Sequence, residues 1–475
     1  MEPLPTIVLL MSSGWGVRTF LQTEVLPELQ RHARVVLFCA PDLMAPVRER
    51  VGDELPIEPL HPFDPLAGAY GRAYRRRNHR FFRASSTATR RLKHAEYRKT
   101  LAGRKALFFD LLELDARLFA RPDGLPRMER RERELLVRDY PHAAEYERRL
   151  RGASLVVSTL PHGHDEAPPA VLARHLGIPV AAWINSWDNL TSKPAYFTGY
   201  DHYFVWSDRV RSELLRYYPE AAGGTVDVTG VPHFDWYRCP SMQMSREELC
   251  ALHGFDPRRP IVLYGTATPH LAPSEHLVVQ RLARDLANLA GTEALGSPQL
   301  LVRLHPGEAG GRFRDWQPGP GVAFQRPGER GRGNLAGYCP TREENREFVS
   351  SILHADVIVN LASTLTLDAA LCDRPAVNVA FDLSPGPSFQ TAISQYYTHY
   401  DHYRTVVESG AVRLAHSPEE LLVHVSAYLR DPGLEREGRK RLVDLWCGPF
   451  DGGSGRRLAG ALLSRMPVQA LEVRG

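Results

Sequence analysis

Short apolar runs alternate with longer stretches whose apolar positions recur every three or four residues, and this alternation continues along most of the chain. The short runs suit strands buried on both faces; the longer stretches suit helices with one buried face. In the first half the pattern predicts strands at 6–11, 34–39, 154–158, 179–184, 202–207 and 226–229, with helices near 18–31 and 169–176. In the second half it predicts strands at 260–264, 299–304, 322–324, 356–360 and 376–379. Helices are expected there at 274–290, at about 363–371, at 418–429 behind Ser417, and near 455–463.

Strands that alternate with helices imply parallel sheets, so the fold class is α/β. Two such series of similar size imply two Rossmann-like domains whose parallel sheets face a central cleft. Their expected extents are 1–240 and 255–440, followed by a C-terminal helix and tail at 441–475. A chain of 475 residues with 43% hydrophobic residues can fill two cores of that size.

One segment breaks the alternation. Residues 65–150 read as a helical insertion, and within it residues 72–105 are rich in arginine with Glu96 as the one acid. A solvated helical surface is one reading. The other is a face for anionic lipid headgroups or an anionic acceptor, with Phe81, Phe82 and Tyr97 as apolar anchors. Residues 128–149 mix both signs and read as an exposed helix. The net charge of +4 is too small to indicate nucleic-acid binding, and no nucleic-acid fold signature accompanies the arginines. The six cysteines are scattered without C-x-x-C spacing, which argues against structural zinc or a disulfide framework. The first apolar run lacks a basic leader, and no stretch is long enough to span a bilayer. A cytoplasmic protein, peripheral on the inner face of the membrane if the arginines meet lipid, is the expectation.

Candidate chemistry gathers where strands end. In the second half, Gly265 and Thr266 follow one strand, Arg303 and His305 close another, and Ser363 and Thr364 open a helix after a third. A glycine lets backbone approach a diphosphate, a histidine can donate to it, and free N–H groups at a helix start can hold it. Asp368 lies one turn further on and can accept from ribose hydroxyls. In the first half, Gly14 and Gly16 form a tight turn after the first strand, an incomplete dinucleotide fingerprint that reads as structural or as an acceptor-side loop. His162, His164 and Asp165 make a dense titratable loop in which one group can serve as general base near neutral pH. Its spacing does not favour a metal. Asp188 and Asn189 can build an Asx turn, and Lys193 can offer a point charge to phosphate.

The runs SWDNLTSK at 186–193, HYFVWSDRVRSELLRYYPE at 202–220 and VTGVPHFDWY at 228–237 resemble the amino-terminal half of GT-B transferases of bacterial surface polymers. These include capsule or lipopolysaccharide glycosyltransferases and CDP-glycerol glycerophosphotransferase-like proteins. The second-half order of strand, His-Pro, strand, Ser-Thr, helix and acid is similar too, as is FDGGSGRR at 450–457. The resemblance covers roughly residues 150–465 and leaves the insertion unexplained. It implies a GT-B fold whose last helix crosses back to the first domain. It also implies a nucleotide-activated donor held by His305, Ser363, Thr364 and Asp368, no cofactor, and metal-independent transfer to a carbohydrate or lipid-linked acceptor. Relatives often carry glutamate where Asp368 stands. Asn360 stands where the glycerophosphotransferases are often acidic, which favours a sugar donor over CDP-glycerol. A nucleotide-sugar epimerase and a non-catalytic lipid- or protein-binding scaffold are the rival readings.

Overall fold

A computed structural model of the chain describes residues 4–85, 87–289, 296–308, 311–327, 338–384 and 393–467. The final residues of the predicted tail, 468–475, lie outside the described residues, as do Ser86 and Ala290. The chain forms two compact units. The first comprises Met1–His233, Gly331–Cys339 and Gly453–Gly475; the second comprises Phe234–Arg330 and Pro340–Gly452.

The first unit is built on seven parallel strands: β1 (Thr6–Met11), β2 (Arg34–Cys39), β3 (Ile57–Pro59), β4 (Ala153–Ser158), β5 (Val180–Trp183), β6 (His202–Val205) and β7 (Thr225–Val228). Their order is β3-β2-β1-β4-β5-β6-β7. The second unit has six parallel strands: β8 (Ile261–Gly265), β9 (Gln299–Arg303), β10 (Val322–Gln325), β11 (Val357–Asn360), β12 (Ala376–Val379) and β13 (Val412–Ala415). They run in the order β10-β9-β8-β11-β12-β13. Both orders reverse direction beside the unit's first strand, at β1/β4 and at β8/β11. This is the doubly wound arrangement, and ligands in such sheets bind beyond the carboxyl ends of the strands at the reversal. The central strands show why the sheets are covered on both faces: TIVLLM in β1, RVVLFC in β2 and IVLYG in β8 are buried almost throughout.

Every predicted strand is present within a residue or two. The helix predicted near 18–31 is instead a short helical turn at Gly14–Gly16, a π-turn at Val17–Leu21 and a helix at Val25–His32. Strands β3 and β13 were not predicted: β3 is two half-buried residues and an exposed proline, and β13 is interrupted by Arg413, so neither gives an apolar run. The last helix, Ser454–Leu463, belongs to the first unit. It packs on helix Val25–His32, and Arg457 donates to the Thr229 carbonyl at 3.1 Å.

The insertion between β3 and β4 is five helices: Gly68–Ala84, Ala88–Lys99, Gly103–Phe119, Leu125–Asp139 and Ala143–Leu150. Its arginines are not uniformly solvated. Arg77 is buried and donates to Glu132 at 2.7 Å, while Glu129, also buried, lies 3.8 Å from it. The mixed-charge segment is therefore not simply an exposed helix; two of its acids, Glu129 and Glu132, face inward to meet Arg77. Arg90 is fully buried, stacks over Phe81 with 4.4 Å from guanidinium carbon to ring centroid, and donates to the carbonyls of Lys193 and Leu190 and to Tyr218 Oη. Phe81 and Phe82 are core residues, which removes them as membrane anchors; Tyr97 is exposed. Among the described residues no helix is long and apolar enough to cross a membrane.

Candidate functional site

The second unit brings its predicted donor-binding residues to one end of one sheet. Gly265 is in register with both Arg303 and Asn360, so the tips of β9, β8 and β11 are side by side. A Cβ on Gly265 would stand 2.3 Å from Leu365 Cδ2, so the glycine lets the following helix start close against β8. Thr266 then turns back: its N–H donates to the Arg303 carbonyl at 3.0 Å, and its Oγ1 accepts the His305 N–H at 2.8 Å. The Arg303 guanidinium lies over the Phe348 ring at 4.3 Å.

Pro306 and Gly307 force the turn at the tip of β9. The Gly307 N–H donates to His305 Nδ1 at 2.8 Å. That bond needs a lone pair on Nδ1, so the neutral ring carries its proton on Nε2. His305 is therefore set as an Nε2–H donor, the form useful to an anion.

At the tip of β11, Ser363 Oγ accepts the Leu365 N–H at 3.2 Å, and Thr364 takes the N-cap position with φ −56° and ψ −24°. The helix Leu365–Leu371 is only 7 residues long, so its dipole adds little and the local N–H groups matter more. Asp368 is buried, and one of its oxygens accepts from Tyr237 Oη at 2.7 Å. Asn360 is buried in a polar network: its Oδ1 accepts from Asn378 Nδ2 at 2.8 Å and from Thr366 Oγ1 at 3.2 Å. Tyr403 Oη joins the same network at 2.7 Å from Thr366 Oγ1.

Two residues that shape this end of the sheet were not singled out from the sequence. Glu275 is fully buried and accepts the Ala267 N–H at 2.9 and 3.1 Å. Arg312 lies 3.2 Å from Glu275, donates to Glu308 at 2.6 Å, and donates to the Ala272 and Ala267 carbonyls at 2.6 and 2.8 Å. The loop after β8 is thus pinned by one guanidinium. Burial pushes the Glu275 carboxyl up to about 7, with Arg312 opposing that shift. Neither residue has a local motif; both become meaningful only once the loop is folded.

In the first unit the strand-end residues are occupied differently. A Cβ on Gly14 would meet the Tyr338 carbonyl oxygen at 1.7 Å, and one on Gly16 would meet Thr159 Oγ1 at 2.3 Å. Both glycines are required by packing. The reversal at β1/β4 is closed by Glu166, the next residue of the same titratable loop. It is fully buried and accepts from Ser12 N, Ser12 Oγ, Ser158 Oγ and Leu160 N at 2.9, 2.6, 2.7 and 2.9 Å.

The predicted basic loop also differs from expectation. Burial, reinforced by Lys193, lowers His162 to about 3, so it does not titrate near neutral pH. Burial also lowers His164 and raises Asp165, whose Oδ1 accepts the Phe63 N–H at 2.7 Å. His162 Nδ1 lies 3.3 Å from Asn189 Nδ2, which donates to Asn185 Oδ1 at 2.6 Å. Asp188 accepts from Ser186 Oγ at 2.6 Å and Ser192 Oγ at 2.8 Å and does not cap the helix that follows, which differs from the Asx turn expected there. The Lys193 carbonyl is used by Arg90. Among the described residues, the groups that can converge on a metal ion are His61, His142, Glu145 and His79, His94, Glu113, and neither trio includes a predicted site residue.

No protein-family model and no curated protein sequence matches the chain. Solved structures do match along its length. A Listeria monocytogenes protein assigned as a UDP-N-acetylglucosamine 2-epimerase superposes with TM-score 0.55 at 9% identity, covering 98% of this chain and 96% of that one. A UDP-N-acetylglucosamine 2-epimerase superposes with TM-score 0.50 at 12% identity, covering 98% and 96%. S. aureus MnaA in a structure with UDP gives TM-score 0.50 at 9% identity, covering 98% and 99%. Identities this low establish fold alone. That fold is GT-B, with two Rossmann-like domains in one chain.

Proposed function

We propose that the chain is a GT-B glycosyltransferase that takes a sugar from a nucleotide-activated donor to an acceptor hydroxyl in bacterial surface-polysaccharide or glycoconjugate synthesis. The observation that carries the reading is the gathering of Gly265, Thr266, Arg303, His305, Ser363 and Thr364 at the β8/β11 reversal. In this reading His305 Nε2–H and the N–H groups around Ser363 hold the diphosphate and stabilise charge as it leaves. Asp368, oriented by Tyr237, accepts from the ribose. No metal is needed where fixed donors and Arg303 balance the leaving charge. The SWDNLTSK and FDGGSGRR resemblances favour transfer. The carbohydrate or lipid-linked acceptor is assigned to the first unit, near Gly14, Gly16, Asp188, Asn189 and Lys193. The low basicity of His162 leaves Asp165 or His164 as the base for an inverting reaction.

A second reading has its own support. The structural matches above include UDP-N-acetylglucosamine 2-epimerases, so epimerisation of a nucleotide sugar without any acceptor is the competing chemistry. Incubation with UDP-, GDP- and CMP-sugars, with and without oligosaccharide or lipid-linked acceptors, separates the two. Acceptor-dependent nucleotide release supports transfer, and acceptor-free epimer formation replaces it with epimerisation. Consumption of CDP-glycerol alone would point to glycerophosphoryl transfer.

A further inference from the structure

The helical insertion leaves one helix face uncovered. On Gly103–Phe119, the side chains of Leu107, Phe108, Leu111, Leu114, Leu118 and Phe119 are each between 45% and 65% exposed. They recur at helical spacing along a single helix, so they form a continuous apolar stripe rather than scattered exposed residues. The stripe is framed by positive charge. Arg104 and Lys105 are exposed at its start, Arg75 sits over Phe108 at 5.6 Å, and Arg80, paired with Asp115 at 2.7 Å, sits over Phe119 at 5.4 Å.

Beside the stripe, and joined to it through Leu114, is a cleft of about 810 Å³. Four guanidiniums line it, from Arg83, Arg91, Arg98 and Arg117, over a floor that includes Phe82 and Phe109. Asp110 is taken by Arg98 at 2.6 and 2.7 Å, and Glu113 by His94 at 3.1 Å. The side chains of Arg83, Arg91 and Arg117 make no hydrogen bond or ion pair among the described residues, and all three residues are exposed. The cleft wall also holds the His79–His94–Glu113 trio. A cation there would face four guanidiniums, so the surroundings favour an anion over a metal.

The geometry points to helix Gly103–Phe119 as a membrane-docking element, with its apolar stripe in the interface of an anionic phospholipid bilayer and one lipid phosphate in the Arg83–Arg91–Arg117 cleft. The arrangement matches what an amphiphile presents: a negative head next to an apolar body. Charge complementarity selects this occupant over an apolar protein partner, which would leave the three unengaged guanidiniums unmatched. The assignment adds the helix that follows to the membrane-facing surface; the arginine-rich helices contribute Arg83 and Arg91 to it, while their Arg77 and Arg90 are spent internally. It stands independently of the chemistry proposed in the second unit.

The test is co-sedimentation of the full chain with vesicles of phosphatidylglycerol and phosphatidylcholine, against vesicles of phosphatidylcholine alone. Three variants accompany it: L111E/L118E on the stripe, R83Q/R91Q/R117Q in the cleft, and the charge-matched control R130Q/R148Q/R151Q at exposed sites elsewhere in the insertion and just after it. All positions are exposed, and thermal melting confirms that each variant folds. The wild type is expected to sediment only with the phosphatidylglycerol vesicles. The stripe variant is expected to stay in solution, and the cleft variant to bind on the order of a hundredfold more weakly, well beyond the control. Failure of the wild type to sediment would overturn the proposal. So would a dimer that L111E/L118E dissociates without any vesicle binding, since a second copy would then cover the stripe. Equal loss in the cleft and control variants would overturn the phosphate site.

Discussion

Arg312→Met isolates what holds the loop after β8. The substitution keeps most of the side-chain volume and removes the charge. It leaves Glu275 and Glu308, with side chains 0% and 2% exposed, without their guanidinium, and it strips a donor from the Ala267 and Ala272 carbonyls. Breaking a buried pair in this way costs about 3–5 kcal/mol. The cost should also depend on pH, with a definite sign. The Glu275 carboxyl is raised in the fold from 4.5 to about 7, so its contribution to stability is fully present below about 4.5 and is lost as pH rises through about 7. Without Arg312 the folded value rises further, because the guanidinium that opposed the effect of burial has gone. Wild-type and variant therefore share the same loss up to about pH 7. Above it only the variant keeps losing stability, by about 1.4 kcal/mol per pH unit until its own folded value is passed. Urea unfolding followed by far-UV circular dichroism at about pH 6, 7, 8 and 9 reads this difference. The double variant R312M/E275Q should recover the pH-dependent part and none of the rest. A cost that is equal at pH 6 and 9, or a double variant no less pH-sensitive than R312M, would refute the reasoning.

In the first unit, Gly16→Ala places a methyl 2.3 Å from Thr159 Oγ1 and 3.2 Å from Met11 Sδ, and should lower stability by about 1–3 kcal/mol in a thermal or urea melt. Glu166→Ala orphans the Ser12 and Leu160 N–H groups and two hydroxyls, so a loss of about 3 kcal/mol or more is expected, and a near-neutral result would deny Glu166 its closing role. The His162 ring, held at about 3, should show no chemical-shift titration between about pH 5 and 8; an inflection in that range would restore it as a base.

The sequence announced the sheets because parallel strands are covered on both faces and so read as unbroken apolar runs, as in β1 and β8. It did not announce β3 and β13, whose partly exposed residues carry no such run. The Gly265, His305 and Ser363 tips were legible for a related reason: glycine, proline and hydroxyl residues directly after a strand mark the turn where a doubly wound fold exposes its backbone. The insertion was the least legible. Composition showed many arginines, yet whether each meets water or a carboxylate depends on helices packed from 55 residues away, as Arg77 and Glu132 do. The exposed leucines of Gly103–Phe119 look like core in sequence because an apolar stripe is written identically whether another helix or nothing covers it. Titration near neutrality was the natural assumption for His162, and burial reversed it.

Everything proposed about donor chemistry rests on the strand tips of the second unit binding a nucleotide diphosphate through His305. A thermal-shift series with UDP, GDP, CDP and CMP, run on the wild type and on His305→Ala, measures this directly. At least one nucleotide should raise the melting temperature of the wild type, and the same nucleotide should raise that of the variant by clearly less, with both proteins melting alike when no nucleotide is present. An identical shift in the two proteins, or no shift with any nucleotide, would contradict the account.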